Sequence, residues 1–375
     1  MEYFRRVHKN IYPGRVRNNI LRISEGLPPG TKRCLVLKAD AYGLGAPQIA
    51  LRTEDMVDFF AVSAGTEAAE LREEGIRKPI LILGYTAHED YERLLELEAR
   101  FTVYREEEGR ALNEAALRRG VKAHVHFKLD TGMNRIGFEP TEEAADSVAF
   151  LASLPGIEAE GLFSHFATAD AADLSQAREQ YARFAWFKER LKERGLILPI
   201  CHIANSAAAL VLPEAAEDMV RLGIAAYGFY PSGEMARPVR LEPAIELKSM
   251  ITHVKMLEAG EGVGYGFAYV APRPCRLATV SVGYADGYSR LLSGKADVLI
   301  RGKRAPVRGN VCMDQLMVDV DRIPEAAVGD EVTLLGTDGE QEITLEELSE
   351  KSGILHYEII CGFSHKRVPE VCIDE

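Results

Sequence analysis

The position of Lys38 in the sequence suggests a chemical role for its side chain. It follows four apolar residues, Cys34 to Leu37, and precedes a turn that contains Gly43 and Gly45. The apolar run predicts a short buried strand, and burying an unpaired ammonium is costly. The lysine therefore either reaches water from the strand end or is kept for chemistry. Desolvation would lower the pKa of its amine and make it a nucleophile and Schiff-base former.

Further candidate groups follow later predicted strands. His165 follows the sixth strand, Asn205 and Ser206 follow the seventh, and Arg221 and Gly223 lie near the end of the eighth. In a β/α barrel the reactive groups lie where strands end, so these positions would converge on one rim. Small and hydroxyl residues there commonly bind phosphate, although Ser206 could equally serve only as a helix N-cap. Lysine and a phosphate cradle together point to pyridoxal phosphate, whose aldehyde needs an amine.

Arg221 lies inside an apolar run, where a guanidinium is costly unless it is paired. Two interpretations are open. The side chain forms a structural ion pair, or it faces the cofactor ring and keeps the pyridine nitrogen unprotonated. His202, near the end of the seventh strand, either hydrogen-bonds a neighbour or is a satisfied core histidine.

His124, His126 and Lys128 share one strand face by the two-residue period. The spacing of the two histidines is a weak metal signature, and no third ligand is evident. We therefore predict no metal site.

Tyr265 is flanked by glycines in the C-terminal part of the chain. The segment is either a turn with an exposed ring or the site of a tyrosine base. A base would need nearby cations to lower the pKa of its phenol.

Eight strand-like segments alternate with helical runs in the first two thirds of the chain. They cover residues 34–38, 59–63, 79–83, 101–104, 123–129, 159–163, 199–203 and 219–224. This alternation predicts an α/β fold with a (β/α)8 TIM-like barrel. An open doubly wound sheet is the alternative, but no G-x-G-x-x-G motif follows the first strand. Later segments are strand-like and separated by turn residues, so we predict a barrel domain at 1–237 and a mostly β C-terminal domain at 238–375.

Composition narrows the class of protein. The net charge of −12 argues against nucleic-acid binding, which needs clustered cations. Apolar spans of membrane length are absent, and no secretory signal is evident. The six cysteines form no C-x-x-C pair and lie mostly in apolar runs, which favours reduced thiols. We expect a cytoplasmic protein that binds a small molecule and neither nucleic acid nor a membrane.

Nine motifs, in this order and at these separations, resemble those of the alanine racemase family across most of the chain. They are Lys38-Ala-Asp-Ala-Tyr-Gly-x-Gly, Lys128-Leu-Asp-Thr-Gly-Met-Asn-Arg-Ile-Gly, Ser164-His-Phe-Ala-Thr-Ala-Asp, Ala204-Asn-Ser-Ala, Val220-Arg-x-Gly-Ile, Gly264-Tyr-Gly, Val282-Gly-Tyr-Ala-Asp-Gly-Tyr, Cys312-Met-Asp and Tyr357-Glu-Ile. Some are weak alone, but the set is highly specific.

The resemblance implies a homodimer of two-domain subunits that share active sites and bind pyridoxal 5'-phosphate. Lys38 would hold the cofactor, Arg221 would bond its ring nitrogen and His165 would stack on its ring. The other cofactor-binding residues, most of them at the phosphate, would be Tyr42, Asn205, Ser206, Gly223, Ile224 and Tyr357.

Other roles follow from the same resemblance. Lys128 resembles a lysine that is carbamylated in many relatives and orients Arg135 toward the substrate carboxylate, although the sequence leaves the modification open. His202 would couple Arg221 to Tyr265. Met313, which narrows the substrate pocket, and Asp314 would reach into the partner's site, and Tyr284 and Asp170 would line the access corridor.

The implied reaction is racemisation of alanine by two bases, Lys38 for the D-isomer and Tyr265 for the L-isomer, which would supply D-alanine for peptidoglycan. A racemase of broader specificity, for serine or other small amino acids, is the main alternative. A decarboxylase with the same cofactor would want a carboxylate where Arg221 stands. A non-catalytic cofactor-binding protein would lack the β domain that carries Tyr265.

The sequence departs from the family pattern at four positions. Leu44 replaces a usual histidine, Phe267 a common arginine, Leu222 a frequent proline and Glu370 a usual arginine. None of these changes removes a predicted base, but they leave substrate range and dimer strength open.

Overall fold

The computed structural model describes residues 6–363 and 366–374, which divide into two units. The barrel unit contains Val16–Ala41 and Ala46–Glu242. The β unit contains the N-terminal segment that ends at Arg15 and includes strand β1 (His8–Ile11), the short segment Tyr42–Gly45, and the chain from Pro243 onward. The chain thus leaves the barrel unit and returns to it shortly after Lys38.

Eight parallel strands form the sheet of the barrel unit, all of whose residues the structure describes. They are β2 (Lys32–Val36), β3 (Phe59–Val62), β4 (Ile80–Ile82), β5 (Ala99–Val103), β6 (Ala123–Lys128), β7 (Ile157–Phe163), β8 (Ile200–His202) and β9 (Met219–Leu222). Their order is β8-β7-β6-β5-β4-β3-β2-β9. Two 3.0 Å backbone bonds, Asp218 N to Cys201 O and Arg221 N to Ala204 O, close the circle. The predicted TIM-like barrel is confirmed.

The helices of this part of the chain surround and connect the strands. They are α1 (Pro13–Ser24), α2 (Lys38–Gly43), α3 (Ala46–Thr53), α4 (Gly65–Glu73), α5 (Tyr91–Glu96), α6 (Glu106–Arg119), α7 (Glu142–Ala152), α8 (Ser175–Glu193) and α9 (Ser206–Val211). Among the described residues, no helix is both long and apolar enough to cross a membrane.

Burial explains why several of the barrel strands are apolar runs. Strands β3, β4 and β9 are buried along their whole length, as expected for parallel strands covered on both faces. The exceptions are polar side chains buried in the barrel: His126, Lys128, His202 and Arg221. Such groups are costly to bury without hydrogen-bond partners. Their burial here therefore indicates a functional role and not a contribution to stability.

Each of the eight predicted strands overlaps an observed strand, with one informative difference. The predicted strand at 34–38 ends at Val36 instead. Leu37 N still donates to Ala61 O at 2.7 Å, but Lys38 is the first residue of α2. The lysine therefore begins the turn and does not end the strand.

The β unit carries the remaining described strands and helices. These are β10 (Ile245–Leu257), β11 (Gly262–Val263), β12 (Tyr269–Val270), β13 (Cys275–Val280), β14 (Asp297–Ile300), β15 (Lys303–Pro306), β16 (Leu316–Asp319), β17 (Glu331–Asp338), β18 (Gln341–Ile343), β19 (Glu370–Cys372), α10 (Leu345–Ser352) and α11 (His356–Cys361). The main sheet runs β15-β14-β17-β10-β1-β19, with β13, β16 and β18 branching from it. The mostly β character of this region is confirmed.

Candidate active site

The turn that begins at Lys38 is left-handed. Ala39, Asp40, Ala41 and Tyr42 have φ angles of 52°, 52°, 52° and 58°. A left-handed helical turn costs L-residues roughly 1–2 kcal/mol each, and such strain persists only where the surroundings enforce it. Gly43 closes the turn, and a Cβ there would lie 2.4 Å from the carbonyl oxygen of Ile360.

Two carboxylates hold this turn. Glu67 Oε1 accepts a hydrogen bond from Ala39 N at 2.7 Å, while its Oε2 accepts one from Ser63 N at 2.7 Å. Asp40 Oδ1 accepts a hydrogen bond from Ala46 N at 2.5 Å. Glu67 therefore ties the residue after Lys38 to the end of β3, a role that the sequence analysis missed.

Arg221 is buried at 3 % exposure and is held by neutral acceptors. Nη1 donates to Nδ1 of His202 at 2.7 Å, and Nη2 donates to Nδ1 of His165 at 3.0 Å. Carbonyl oxygens of Ser164, His202 and Ile203 accept further bonds at 2.8, 3.3 and 3.1 Å. Burial lowers the pKa of Arg221 to about 10, so the guanidinium stays protonated at neutral pH.

The two histidines beside Arg221 are neutral. Burial, followed by repulsion from Arg221, holds the pKa of His165 and the pKa of His202 well below the ordinary value. A neutral imidazole has one nitrogen lone pair, which in each ring is used to accept from the guanidinium. The structure thus brings together three predicted site residues.

His126 extends this cluster by hydrogen bonds on both of its ring nitrogens. Its Nδ1 lies 2.8 Å from Nε2 of His202, and its Nε2 lies 3.1 Å from Oε2 of Glu160. Within the described ranges, no group of three or more His, Cys, Asp or Glu residues has the arrangement of a metal site.

Lys128 is buried at 4 % exposure near the end of β6. Its Nζ donates to the carbonyl oxygens of Leu129 and Ile136, at 2.5 and 3.3 Å. Burial, with repulsion from Arg221, lowers the pKa of the amine to about 7. Arg135 is exposed on the loop that follows, and its backbone N donates to Asp130 Oδ2 at 2.9 Å.

Ser206 is a buried acceptor between two strand ends. Its Oγ accepts from Gly223 N at 2.8 Å and weakly from Ala225 N at 3.4 Å. The N-cap of α9 is Asn205, whose side chain accepts from Ala208 N at 3.0 Å. Ser206 is therefore not the N-cap, and its hydroxyl proton is available to donate. Ile224, directly after Gly223, is also buried.

Tyr265 in the β unit is 74 % exposed. It lies in a turn between Gly264 and Gly266, whose φ angles of 66° and 71° favour glycine. Asn310 Nδ2 donates to its carbonyl oxygen at 2.8 Å, which fixes the turn. The phenol is thus presented to solvent by a braced loop.

Backbone hydrogen bonds join two further loops of the β unit. Tyr284 N donates to Cys312 O and Ala285 N donates to Met313 O, each at 3.0 Å. A Cβ on Gly283 would lie 2.3 Å from the carbonyl oxygens of both acceptor residues, so only glycine permits this approach. Tyr284 and Met313 are both exposed.

The remaining predicted residues lie around these groups. In the β unit, the rings of Tyr42 and Tyr357 have centroids 6.1 Å apart, and Asp314 pairs with Arg367. In the barrel unit, the carbonyl oxygen of Asp170 accepts a hydrogen bond from Ser232.

The donor set fits pyridoxal phosphate. The terminal nitrogens of Arg221 are satisfied by five acceptor contacts, whereas its Nε–H has no acceptor among the described residues. That donor suits a pyridine nitrogen, the Lys38 amine suits an aldehyde, and the Ser206 hydroxyl suits a phosphate oxygen.

Comparison with known proteins identifies the family of the chain. The family model of the alanine racemase N-terminal domain matches residues 11–231, and that of the C-terminal domain matches residues 244–372. An alanine racemase of Desulfovibrio desulfuricans is 44 % identical over 359 residues, which cover 96 % of this chain and 95 % of the relative. One of Clostridium perfringens is 45 % identical over 338 residues, covering 90 % and 87 %.

Solved structures give the same picture. The alanine racemase of Clostridium difficile superposes with a TM-score of 0.95 at 40 % identity, covering 100 % of this chain and 97 % of that one. The Bacillus anthracis alanine racemase with bound L-Ala-P superposes with a TM-score of 0.92 at 34 % identity, with the same coverage.

Proposed function

This chain belongs to the alanine racemase family, and on that premise we propose that it interconverts L-alanine and D-alanine with pyridoxal 5'-phosphate. The observation that carries the proposal is the proximity of two strand ends in the barrel unit. Strand β2, which leads to Lys38, lies beside β9, and Cys34 pairs in register with Arg221. An amine just after the end of one strand and a lasting cation on its neighbour are therefore close in the fold, as the cofactor's aldehyde and ring nitrogen would require.

The two bases act on opposite faces of one carbon. When bound, the cofactor supplies an aldehyde for the substrate amine and a conjugated ring that accepts electrons as the α-proton leaves. Inversion then needs a proton-transfer group on each face. Lys38 exchanges the proton on the face of the D-isomer, and Tyr265 of the partner subunit exchanges it on the face of the L-isomer.

Arg221 determines which reactions are suppressed. Its Nε–H would donate to the ring nitrogen of the cofactor, and a guanidinium does not give up its proton near neutral pH. Arg221 would therefore leave that nitrogen unprotonated and less electron-withdrawing, which would limit transamination. A decarboxylase would need the opposite arrangement, with a carboxylate that protonates this nitrogen. His165 would pack against the ring, and His202 accepts a hydrogen bond from the guanidinium.

Short donors of this chain would hold the phosphate. Ser206 would donate from its hydroxyl, close to the backbone of Gly223 and Ile224. Tyr42 and Tyr357 are proposed as further phosphate ligands, and Asn205 caps the start of α9.

The active form is a homodimer. Tyr265 and Met313 carry exposed fractions of 74 % and 52 %, which is unusual for a catalytic phenol and for a thioether that shapes a substrate pocket. Both would be covered in a partner's site, together with Asp314. Tyr284 and Asp170 line the corridor through which the amino acid enters.

Lys128 is proposed to be carbamylated. A pKa of about 7 leaves the amine largely neutral above that pH, and a neutral amine adds to dissolved carbon dioxide with loss of one proton. The carbamate anion would pair with Arg135 and orient it toward the substrate carboxylate.

The product role follows from the family. D-alanine would be supplied to peptidoglycan synthesis in the cytoplasm. A pocket narrowed by Tyr265, Met313 and Tyr357 favours a methyl side chain. A chiral assay across alanine, serine and larger amino acids separates this specificity from that of a broader racemase.

The decisive experiment for the proposal is borohydride reduction of the purified protein, followed by peptide mapping. We expect a yellow protein whose reduced cofactor is attached to Lys38. Lys38→Ala should abolish the label and the racemisation, whereas Lys32→Ala, at the start of the same strand β2, should retain both. Attachment to another lysine would refute the assignment.

A further inference from the structure

Four side chains of the barrel unit form one hydrogen-bonded line from Arg221 to Glu160. Arg221 Nη1 lies 2.7 Å from His202 Nδ1, His202 Nε2 lies 2.8 Å from His126 Nδ1, and His126 Nε2 lies 3.1 Å from Glu160 Oε2. Both histidines are fully buried, and Glu160 is 16 % exposed. A cation and an anion thus terminate a line of two imidazoles.

The direction of this line is fixed by one fact of chemistry. A guanidinium can only donate, so His202 Nδ1 must accept. The proton of neutral His202 is then on Nε2 and is donated to His126 Nδ1. The proton of His126 must in turn be on Nε2, where Glu160 accepts it.

The charge states agree with this direction. Burial keeps the pKa of His126 and the pKa of His202 below the ordinary value. Burial opposes ionisation of Glu160, but the hydrogen bond from His126 and the attraction of Arg100 outweigh it and lower the pKa of the carboxyl. At neutral pH the line therefore holds two neutral rings between opposite charges.

The backbone is shaped to aim Glu160 at His126. Along β6 and β7, Val125 pairs with Ala159 but His126 pairs with Gly161, so Glu160 is an extra residue in a bulge. Bulges re-aim side chains and are rare between parallel strands. A Cβ on Gly161 would lie 2.4 Å from His126 Nδ1, so glycine is required for the ring to occupy this place.

The second ring is equally constrained. His202 stacks on Phe163 with centroids 4.9 Å apart and an interplanar angle of 3°. The outer end of the line is steadied by Arg100, whose Nε lies 3.4 Å from Glu160 Oε2.

We propose that Glu160 is a positioning residue: acting through the protons of His126 and His202, it makes His202 present a lone pair to Arg221. The carboxylate touches neither substrate nor cofactor. It determines the orientation of the guanidinium, and so of the Nε–H that, on the proposed function, meets the ring nitrogen. The bulge at Glu160 then places a hydrogen-bond acceptor at the end of the line, next to His126.

Neutron diffraction from deuterium-exchanged crystals of the holoenzyme reads these protons directly. We expect deuterium on Nε2 and none on Nδ1 in both His126 and His202. Deuterium on Nδ1 of either ring would overturn the proposal. The positions can be read whether or not the protein racemises alanine, so failure here is distinct from failure of the proposed function.

Two substitutions separate positioning from packing. Glu160→Gln keeps a carbonyl acceptor for His126, whereas Glu160→Leu is similar in size but has none. We expect Glu160→Leu to lower kcat about tenfold, as loss of a buried acceptor suggests, with little change in KM and an altered absorption spectrum of the bound cofactor. Glu160→Gln should restore most of kcat and the original spectrum.

The matched control is Glu158→Gln, two residues earlier on β7, where the carboxylate pairs with Lys122 at the surface. It should leave kcat and the spectrum unchanged. If Glu160→Leu and Glu160→Gln behave alike in both measurements, the acceptor has no positioning role and the proposal is wrong.

Discussion

Arg221 donates to Nδ1 of His202 over 2.7 Å, and this bond joins a buried cation to a neutral ring. No carboxylate of the described residues forms an ion pair with Arg221. A guanidinium buried among neutral acceptors is poorly compensated, so its presence is better explained by what it binds than by stability.

Replacing Arg221 by lysine should impair the reaction more than it impairs folding. A lysine amine is a point charge that cannot contact His165, His202 and a ring nitrogen together. We expect Arg221→Lys to lower kcat roughly 10²-fold, the usual effect of losing one preorganised donor. Rates measured with both alanine isomers test this.

Arg72→Lys provides the comparison for that measurement. Arg72 also donates to carbonyl oxygens of the barrel unit, those of Ile76, Lys78 and Leu97, but it belongs to no predicted site. We expect Arg72→Lys to change kcat by no more than about twofold relative to the unsubstituted protein, as is usual for a substitution away from a functional site. Equal losses in the two variants would mean that Arg221 contributes only to the barrel.

Glu67 should govern how well the Lys38 turn is maintained. Glu67→Leu removes the acceptor of Ala39 N and Ser63 N, so unfolding free energy should fall by roughly 1–3 kcal/mol and cofactor should dissociate faster. Denaturant unfolding and release of the bound chromophore measure these effects. Glu70→Leu, at an exposed position of the same helix, should change neither the unfolding free energy nor the rate of cofactor release. If Glu70→Leu lowered stability as much as Glu67→Leu, Glu67 would have no specific role in holding the turn.

Lys128 should make stability depend on pH in buffer free of carbon dioxide. The pKa of its amine is about 7 in the folded protein, against an ordinary value of 10.5. Between these values the unfolded chain binds more protons, so stability rises with pH. Below pH 7 the full cost of the buried charge is present. Lys128→Met should therefore stabilise most near pH 6–7 and progressively less toward pH 10.

Unfolding curves at several pH values check this expectation. Lys122→Met, just before β6, removes an exposed lysine paired with Glu158 and should give no such trend. A gain from Lys128→Met that is constant across pH would contradict the buried-charge explanation.

The sequence predicted the barrel well because its signals are local. Most barrel strands contain an apolar run bounded by turn residues, and the groups after these runs, such as His165 and Ser206, could be assigned to one rim by the geometry of the fold. The roles of Tyr265 and Met313 came only from resemblance to a family, since an exposed loop residue carries no local signal of its function.

Three features could not be predicted, for physical reasons. The left-handed turn after Lys38 runs through two alanines, an aspartate and a tyrosine before it reaches Gly43, so its first four residues carry no signal of their handedness. Glu160 is aimed at His126 by a bulge, which depends on strand register. Strand β1 pairs with β10 and β19, partners more than two hundred residues away.

Two proton-transfer groups on opposite faces predict an asymmetric defect when one is removed. In deuterium oxide, Tyr265→Phe should slow α-proton exchange from L-alanine on the order of 10²–10⁴-fold, the usual contribution of a general base, and affect exchange from D-alanine much less. Tyr269→Phe, in the neighbouring strand β12, should affect neither. Equal slowing of both isomers by Tyr265→Phe would contradict a mechanism in which Lys38 and Tyr265 serve separate faces.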